Sequence, residues 1–109
     1  MNHAINANLE DAVMRAKAAG GYVGNVLSSE LLSVGVYVLP EGGVDGQQPH
    51  DEDEVYFAVR GRAKFRVGSE DQPVEPGVLL FVPAKQAHHF HEIDEELVLV
   101  VFWAPPHDR

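Results

Sequence analysis

Gly42-Gly43-Val44-Asp45-Gly46-Gln47-Gln48-Pro49-His50-Asp51-Glu52-Asp53-Glu54-Val55-Tyr56-Phe57-Ala58-Val59-Arg60-Gly61 is the stretch whose reading decides the fold. Within it Gln48 stands two residues before His50, and Glu54 four residues after. A lone internal histidine, His88, follows thirty-four residues after Glu54. Together Gln48, His50, Glu54 and His88 read as the two halves of one metal site. In an extended chain alternate side chains share a face, so Gln48 aligns with His50, and Glu54 joins them where pairing continues without a bulge. His88 then has to arrive from a different strand. Two imidazoles, one carboxylate and one amide oxygen suit a borderline divalent ion, Fe, Mn, Ni, Co or Zn, one per chain. Without Gln48, the remaining three form a two-histidine, one-carboxylate set of the kind found in non-haem iron oxygenases.

Outward from this stretch the chain has strand chemistry almost throughout. Runs rich in β-branched and aromatic residues cover Tyr22 to Leu27, Leu31 to Leu39, Val55 to Arg60, Arg62 to Val67, Val78 to Val82, His88 to Ile93 and Leu97 to Trp103. Turn residues separate them at 28–30, 40–43, 68–70, 76–77 and 94–96. Short strands at this spacing indicate an all-β sandwich or barrel. Ahead of Gly20-Gly21, Leu9, Val13, Met14 and Lys17 fall at helical spacing, with Asn8 as N-cap and Glu10 and Asp11 in the first turn, which predicts a short helix over 8–19. The chain therefore divides into an N-terminal helical segment, 1–21, packed on a β-barrel domain, 22–109.

Arg62-Ala63-Lys64-Phe65-Arg66-Val67 alternates cations with apolar residues, as a half-exposed strand should. Residues 78–82 and 97–103 are apolar at both parities, which suits strands covered on both faces by a second sheet or a second subunit. A homodimer is the expectation that follows.

The combined spacing Gly42-x5-Gln48-x-His50-x3-Glu54-x6-Gly61, then Gly77-x5-Pro83-x4-His88, resembles the two motifs of the cupin family over roughly Leu39 to Glu92. That family usually has a second histidine at the position of Gln48, glycine at Lys85 and asparagine at Glu92. Glycine at position 85 would permit a positive φ that lysine tolerates poorly. The resemblance implies a jelly-roll barrel whose motifs lie on neighbouring strands and aim their ligands inward. His88 and Phe90 would then point in, His89 and His91 away, and Glu54, Tyr56 and Ala58 would line one cavity. It also implies a metal-dependent enzyme acting on a small organic molecule, such as a dioxygenase. A non-catalytic small-molecule or metal-binding module, and a sugar or keto-acid isomerase or lyase, are the alternatives, because one fold hosts many activities.

Composition narrows the chemistry further. The 109 residues make one domain with a modest core, so oligomerisation would help it. The chain has no cysteine, which leaves His, carboxylate or amide oxygen to hold any metal. A net charge of −9 argues against a nucleic-acid partner. No apolar run approaches a membrane span, and the N-terminus does not read as a secretory signal, so a cytoplasmic location is expected. Gly20-Gly21-Tyr22-Val23-Gly24 lacks the features of a phosphate loop, and no serine has a base nearby in sequence. Asp51, Glu52 and Asp53 read most simply as a solvated charge run at the barrel mouth. His89 and His91 are expected to be exposed, and the terminal His3 and His107 to carry little information.

Overall fold

The computed structural model describes residues 5–107, and His3 lies outside them. Helix α1 (Leu9–Ala18) begins where expected: the Asn8 side chain accepts the Asp11 backbone N–H at 3.1 Å, with Glu10 and Asp11 in the first turn and Arg15 and Lys17 in the last. Its buried face differs from the expected one. Ala12, Val13 and Ala16 pack against Val36, Val38 and Val98, while Met14 is 70% exposed. Small alanines let the helix lie close to the sheet.

Six strands follow: β1 (Tyr22–Ser28), β2 (Ser33–Leu39), β3 (Asp53–Val67), β4 (Glu70–Val74), β5 (Leu79–Val82) and β6 (His88–Ala104). All pair antiparallel in the order β1-β2-β6-β3-β4, and β5 pairs with the first residues of β3. Two expectations change. Residues 55–60 and 62–67 are one strand, as are 88–93 and 97–103; and β4, whose Glu70-Asp71-Gln72-Pro73-Val74 has valine as its single strand-favouring residue, was not foreseen. Pairing to β3 supplies what propensity does not.

The β3–β6 ribbon builds the interior. Glu54 pairs with Trp103 at one end and Val67 with His88 at the other. The thirteen steps from Glu54 to Val67 would separate those ends by roughly 43 Å in a straight strand. Yet His88 Nε2 lies 2.8 Å from Glu54 Oε1, so the ribbon must fold back on itself. The fold-back occurs where the register shifts between Ala58 and Lys64, and there the inward parity switches from Glu54, Tyr56 and Ala58 to Ala63 and Phe65. Gly61 sits in this corner at φ +99°, where a Cβ would collide with the Glu96 carbonyl. β6 switches parity too, near Glu92 at φ +49°. The strand break expected at Gly61 and the turn expected at 94–96 are thus bends within continuous strands.

Tyr56, Phe65, Phe90, Leu97, Leu99 and Trp103 fill the folded ribbon. Phe65 and Phe90 lie 4.5 Å apart by ring centroid, and Tyr56 meets Phe90 edge-on at 5.1 Å. On the outside Arg62, Lys64 and Arg66 pair with Glu75, Glu92 and Asp71. The outer side of β6 is covered at Val98 by α1 rather than by a second sheet. Leu79 and Phe81 of β5 remain 68% and 62% exposed. Among the described residues no helix is long and apolar enough to cross a membrane.

Candidate metal centre

Folding back the ribbon brings His50, Glu54 and His88 together, with one ligand atom from each inside a 4.8 Å span. Glu54 comes from the start of β3, His88 from the start of β6, and His50 from the irregular segment that precedes β3. Tyr56, Ala58 and Phe90 are fully buried beside them. Gln48 is not part of this cluster: it is exposed, and Gln47 takes its place. Gly46 and Pro49 keep residues 43–50 out of regular strand, so a count by twos fails across them.

Asp45 explains why Gln47 points inward. Its buried carboxylate accepts the Tyr37 hydroxyl at 2.7 Å and the Phe90 backbone N–H at 2.9 Å, pinning the segment to β2 and β6. The same carboxylate accepts the Gln47 backbone N–H at 3.2 Å and side-chain Nε2 at 2.5 Å. With its nitrogen held, Gln47 presents Oε1 to the cluster. His50 Nε2 lies 3.1 Å from that oxygen, His88 Nε2 3.0 Å, and the Tyr56 hydroxyl donates to it at 3.0 Å.

One amide oxygen has two lone pairs, so it cannot satisfy three donors. The conflict is sharper at His88, whose Nδ1–H donates to the Gln86 carbonyl at 2.7 Å. In the neutral ring Nε2 then carries a lone pair aimed at another lone pair. Glu54, 1% exposed, sits against His88 Nε2 in poor alignment, and neither of its oxygens has a hydrogen-bond partner among the described residues. The His88 lone pair, an unpaired carboxylate and an amide oxygen converge here, with His50 Nε2 able to present a second lone pair in its Nδ1–H tautomer, and a divalent cation would satisfy them together. The residues fit such an ion.

The titration of the two imidazoles differs. Burial pushes the His50 pKa down, and the Glu54 charge only partly offsets it. Burial also pulls on His88, but the Glu54 carboxylate 2.8 Å away, the hydrogen bond to the Gln86 carbonyl and the Asp45 charge raise its pKa on balance. Tyr56 is held well above the ordinary phenol value by burial and by the Glu54 charge, so it remains a neutral donor.

A model of the cupin domain matches residues 35–105. The chain is a cupin. An uncharacterized protein of Streptomyces coelicolor is 46% identical over 92 residues, covering 84% of this chain and 87% of that one. The structure of KdgF from Halomonas sp. superposes with a TM-score of 0.70 at 17% identity, over 75% of this chain and 76% of that one. A chain from the crystal structures of the DMSP lyases RdDddP and RnDddQII matches at 31% identity and a TM-score of 0.63, over 67% of this chain but only 38% of that one. The jelly-roll barrel that the family resemblance implied is thus the fold of this cupin.

Two further residues were not anticipated. His107, dismissed as terminal, is buried: it stacks on Trp103 at 4.1 Å, faces His50 at 5.0 Å, and its backbone N–H donates to Ser33 Oγ at 3.0 Å. Glu52 is equally buried, 3.1 Å from His107 Nδ1, rather than solvated. Asp51 and Asp53 are exposed as expected. Pro105-Pro106 turning the chain after β6 is the sequence signal that could have placed His107, since Pro stops a strand. His50, Tyr22, Tyr37, Tyr56, Trp103 and His107 enclose a cavity of about 180 Å³ beside the cluster.

Proposed function

We propose that this cupin holds one divalent transition-metal ion through His50, Glu54, His88 and the amide oxygen of Gln47, and acts on a small organic molecule in the adjoining aromatic cavity. The observation that supports this most directly is the unpaired buried carboxylate of Glu54 among lone pairs. Fe, Mn, Ni, Co and Zn all suit the donor set. Bound there, the ion supplies Lewis acidity and open positions for substrate oxygens or dioxygen. The chain's own residues do the rest. Asp45 orients Gln47, the Gln86 carbonyl orients His88, and the aromatic walls limit water. Tyr56 offers a neutral hydroxyl 3.4 Å from His88 Nε2.

Dioxygenation is the leading reaction, because His50, Glu54 and His88 form a two-histidine, one-carboxylate set. A lyase or isomerase is the second reading, favoured by the Tyr56 hydroxyl as a proton donor at the cluster and by the likeness to the DMSP lyase chain. Anaerobic purification with elemental analysis, then oxygen-uptake screening on candidate substrates, separates them. Stoichiometric iron with substrate-dependent uptake supports the dioxygenase. Turnover without uptake supports the lyase or isomerase, and metal without turnover a binding module. Full metal occupancy in both His50→Ala and His88→Ala would rule out the assigned ligands.

We also propose a homodimer. Phe57, Leu79, Phe81 and Phe102 stand exposed on one outer face, on paired strands without a charged side chain among those pairs. In a chain of net charge −9 this is the surface on which two copies meet without repulsion. Light scattering should give twice the 12.0 kDa chain mass at micromolar concentration, and the chain mass throughout would refute it.

A further inference from the structure

His50 belongs to a second cluster besides the inner one. Its ring, the Glu52 carboxylate and the His107 ring each bring one ligand atom within 4.8 Å of the others. Glu52 and His107 are each only 7% exposed, and His107 Nδ1 stands 3.1 Å from Glu52 Oε1. Neighbouring donors on one transition-metal ion sit about 3.0–3.4 Å apart when each bond is about 2.1 Å, so this pair is already at chelating distance. Trp103 fixes both rings: His107 stacks on it at 4.1 Å, and His50 meets it nearly at right angles at 4.7 Å. His50 and His107 also line the aromatic cavity, which Glu54 and His88 do not.

Charge distinguishes this cluster from a tether for the end of the chain. The segment after β6 is already held by the Trp103 stack and by the His107 backbone N–H on Ser33 Oγ. A carboxylate is not needed for that, and burying one without a cation opposes folding. Among the described residues no lysine or arginine pairs with Glu52, and its one hydrogen bond is from His107 Nδ1, so Oε2 has no partner there. Glu52 and Glu54 are thus two buried carboxylates on either side of one imidazole, in a chain of net charge −9.

We propose that His50, Glu52 and His107 form a second station for a divalent transition-metal ion, on the cavity side of the inner centre. Two imidazoles and a carboxylate suit the same borderline ions as the inner set. The competition between the stations rests on the reading of His50 as an inner ligand. A neutral imidazole carries one lone pair, so His50 serves one ion at a time and the two stations are alternatives. The inner one is the tighter. It adds the Gln47 amide oxygen and a carboxylate with no hydrogen bond to give up, whereas binding at the cavity side breaks the contact between Glu52 and His107. The cavity-side station therefore shows itself when the inner one is disabled.

Metal-free full-length protein is titrated with Co²⁺, followed by calorimetry and by the visible absorption of the ion. Glu52→Gln and His107→Phe alone should bind Co²⁺ within about threefold of wild type, because neither supplies an inner ligand. His88→Ala should still bind the ion, about 100-fold more weakly. Adding Glu52→Gln or His107→Phe to His88→Ala should weaken that residual binding about tenfold further, through loss of a charge or of a nitrogen donor. Glu54→Ala provides a second background with the inner centre disabled, and thermal melting by circular dichroism confirms that each variant is folded. Residual binding absent from both backgrounds, or reduced by neither added substitution, overturns the cavity-side station and leaves the inner centre standing. Wild-type affinity kept in His88→Ala and Glu54→Ala but lost in Glu52→Gln supports the station and overturns the inner centre. No Co²⁺ binding by the wild type overturns both.

Discussion

His50, Glu54 and His88 inside the barrel and Asp71, His91 and Glu92 on its surface are the same kinds of side chain gathered to the same 4.8 Å tolerance. On the surface the charges are already compensated. Arg66 holds Asp71 through two contacts at 2.6 and 3.0 Å, His91 adds a third at 2.8 Å, and Lys64 stands 3.5 Å from Glu92. Inside, no lysine or arginine reaches Glu54, and its carboxylate oxygens lack hydrogen bonds among the described residues. Water solvates the outer cluster, whereas Glu54 and His88 of the inner one are buried. The two clusters therefore share ligand chemistry and differ in how far burial leaves a carboxylate without a lysine or arginine to compensate it.

The largest expected effect breaks this contrast directly. Glu54→Ala or His88→Ala should lower divalent-metal affinity at least 100-fold, whereas His91→Ala and Asp71→Ala should leave it unchanged; calorimetry on metal-free protein measures both. Saturating metal at about 100 times its Kd adds about 2.7 kcal/mol to the folded state, and so should raise Tm by roughly 10 °C or more, an increment that chelation removes.

A smaller effect tests how the inner set is built. Gln47→Ala should weaken metal binding about tenfold, through loss of an oxygen donor, while Gln48→Ala and Gln48→His should leave it unchanged because that side chain is exposed. Reversal of this order in the same titration would restore Gln48 as the ligand.

Backbone strain gives the next test. Lys85 and Glu92 have φ of +68° and +49°, at the two positions where the family pattern has glycine and asparagine. Lys85→Gly should stabilise the fold by about 1 kcal/mol in denaturant titration, by relieving a left-handed conformation that a Cβ disfavours. Glu92→Asn should gain less, since it also gives up the exposed contact to Lys64.

The smallest effect belongs to the outer cluster. Arg66, then His91, hold the Asp71 carboxyl well below the usual carboxylate range. The stabilisation it contributes is therefore present above the ordinary value of about 3.9 and lost as pH falls from there through the folded-state value. The Tm difference between wild type and Asp71→Asn should be small at neutral pH, shrink further in high salt and vanish in strong acid.

Alternation and spacing made much of this molecule legible in advance. Glu54, Tyr56 and Ala58 lie on one side of β3, and His88 and Phe90 on one side of β6, as a period of two requires. The motif glycines Gly42, Gly61 and Gly77 all adopt positive φ, which is why the spacing could be recognised without knowing the structure. Those features are local, and local chemistry suffices to express them. What tertiary structure alone decided is non-local. Whether Gly61 ended a strand or bent one depended on β6 continuing to pair across it, and whether Gln47 or Gln48 turned inward depended on Asp45 being anchored by Tyr37 and Phe90. Glu52 and His107 became interior because the chain after β6 returns over Trp103 to Ser33, a contact between residues seventy-four apart. No periodicity records such a contact, because its energy exists only once both partners are already in place.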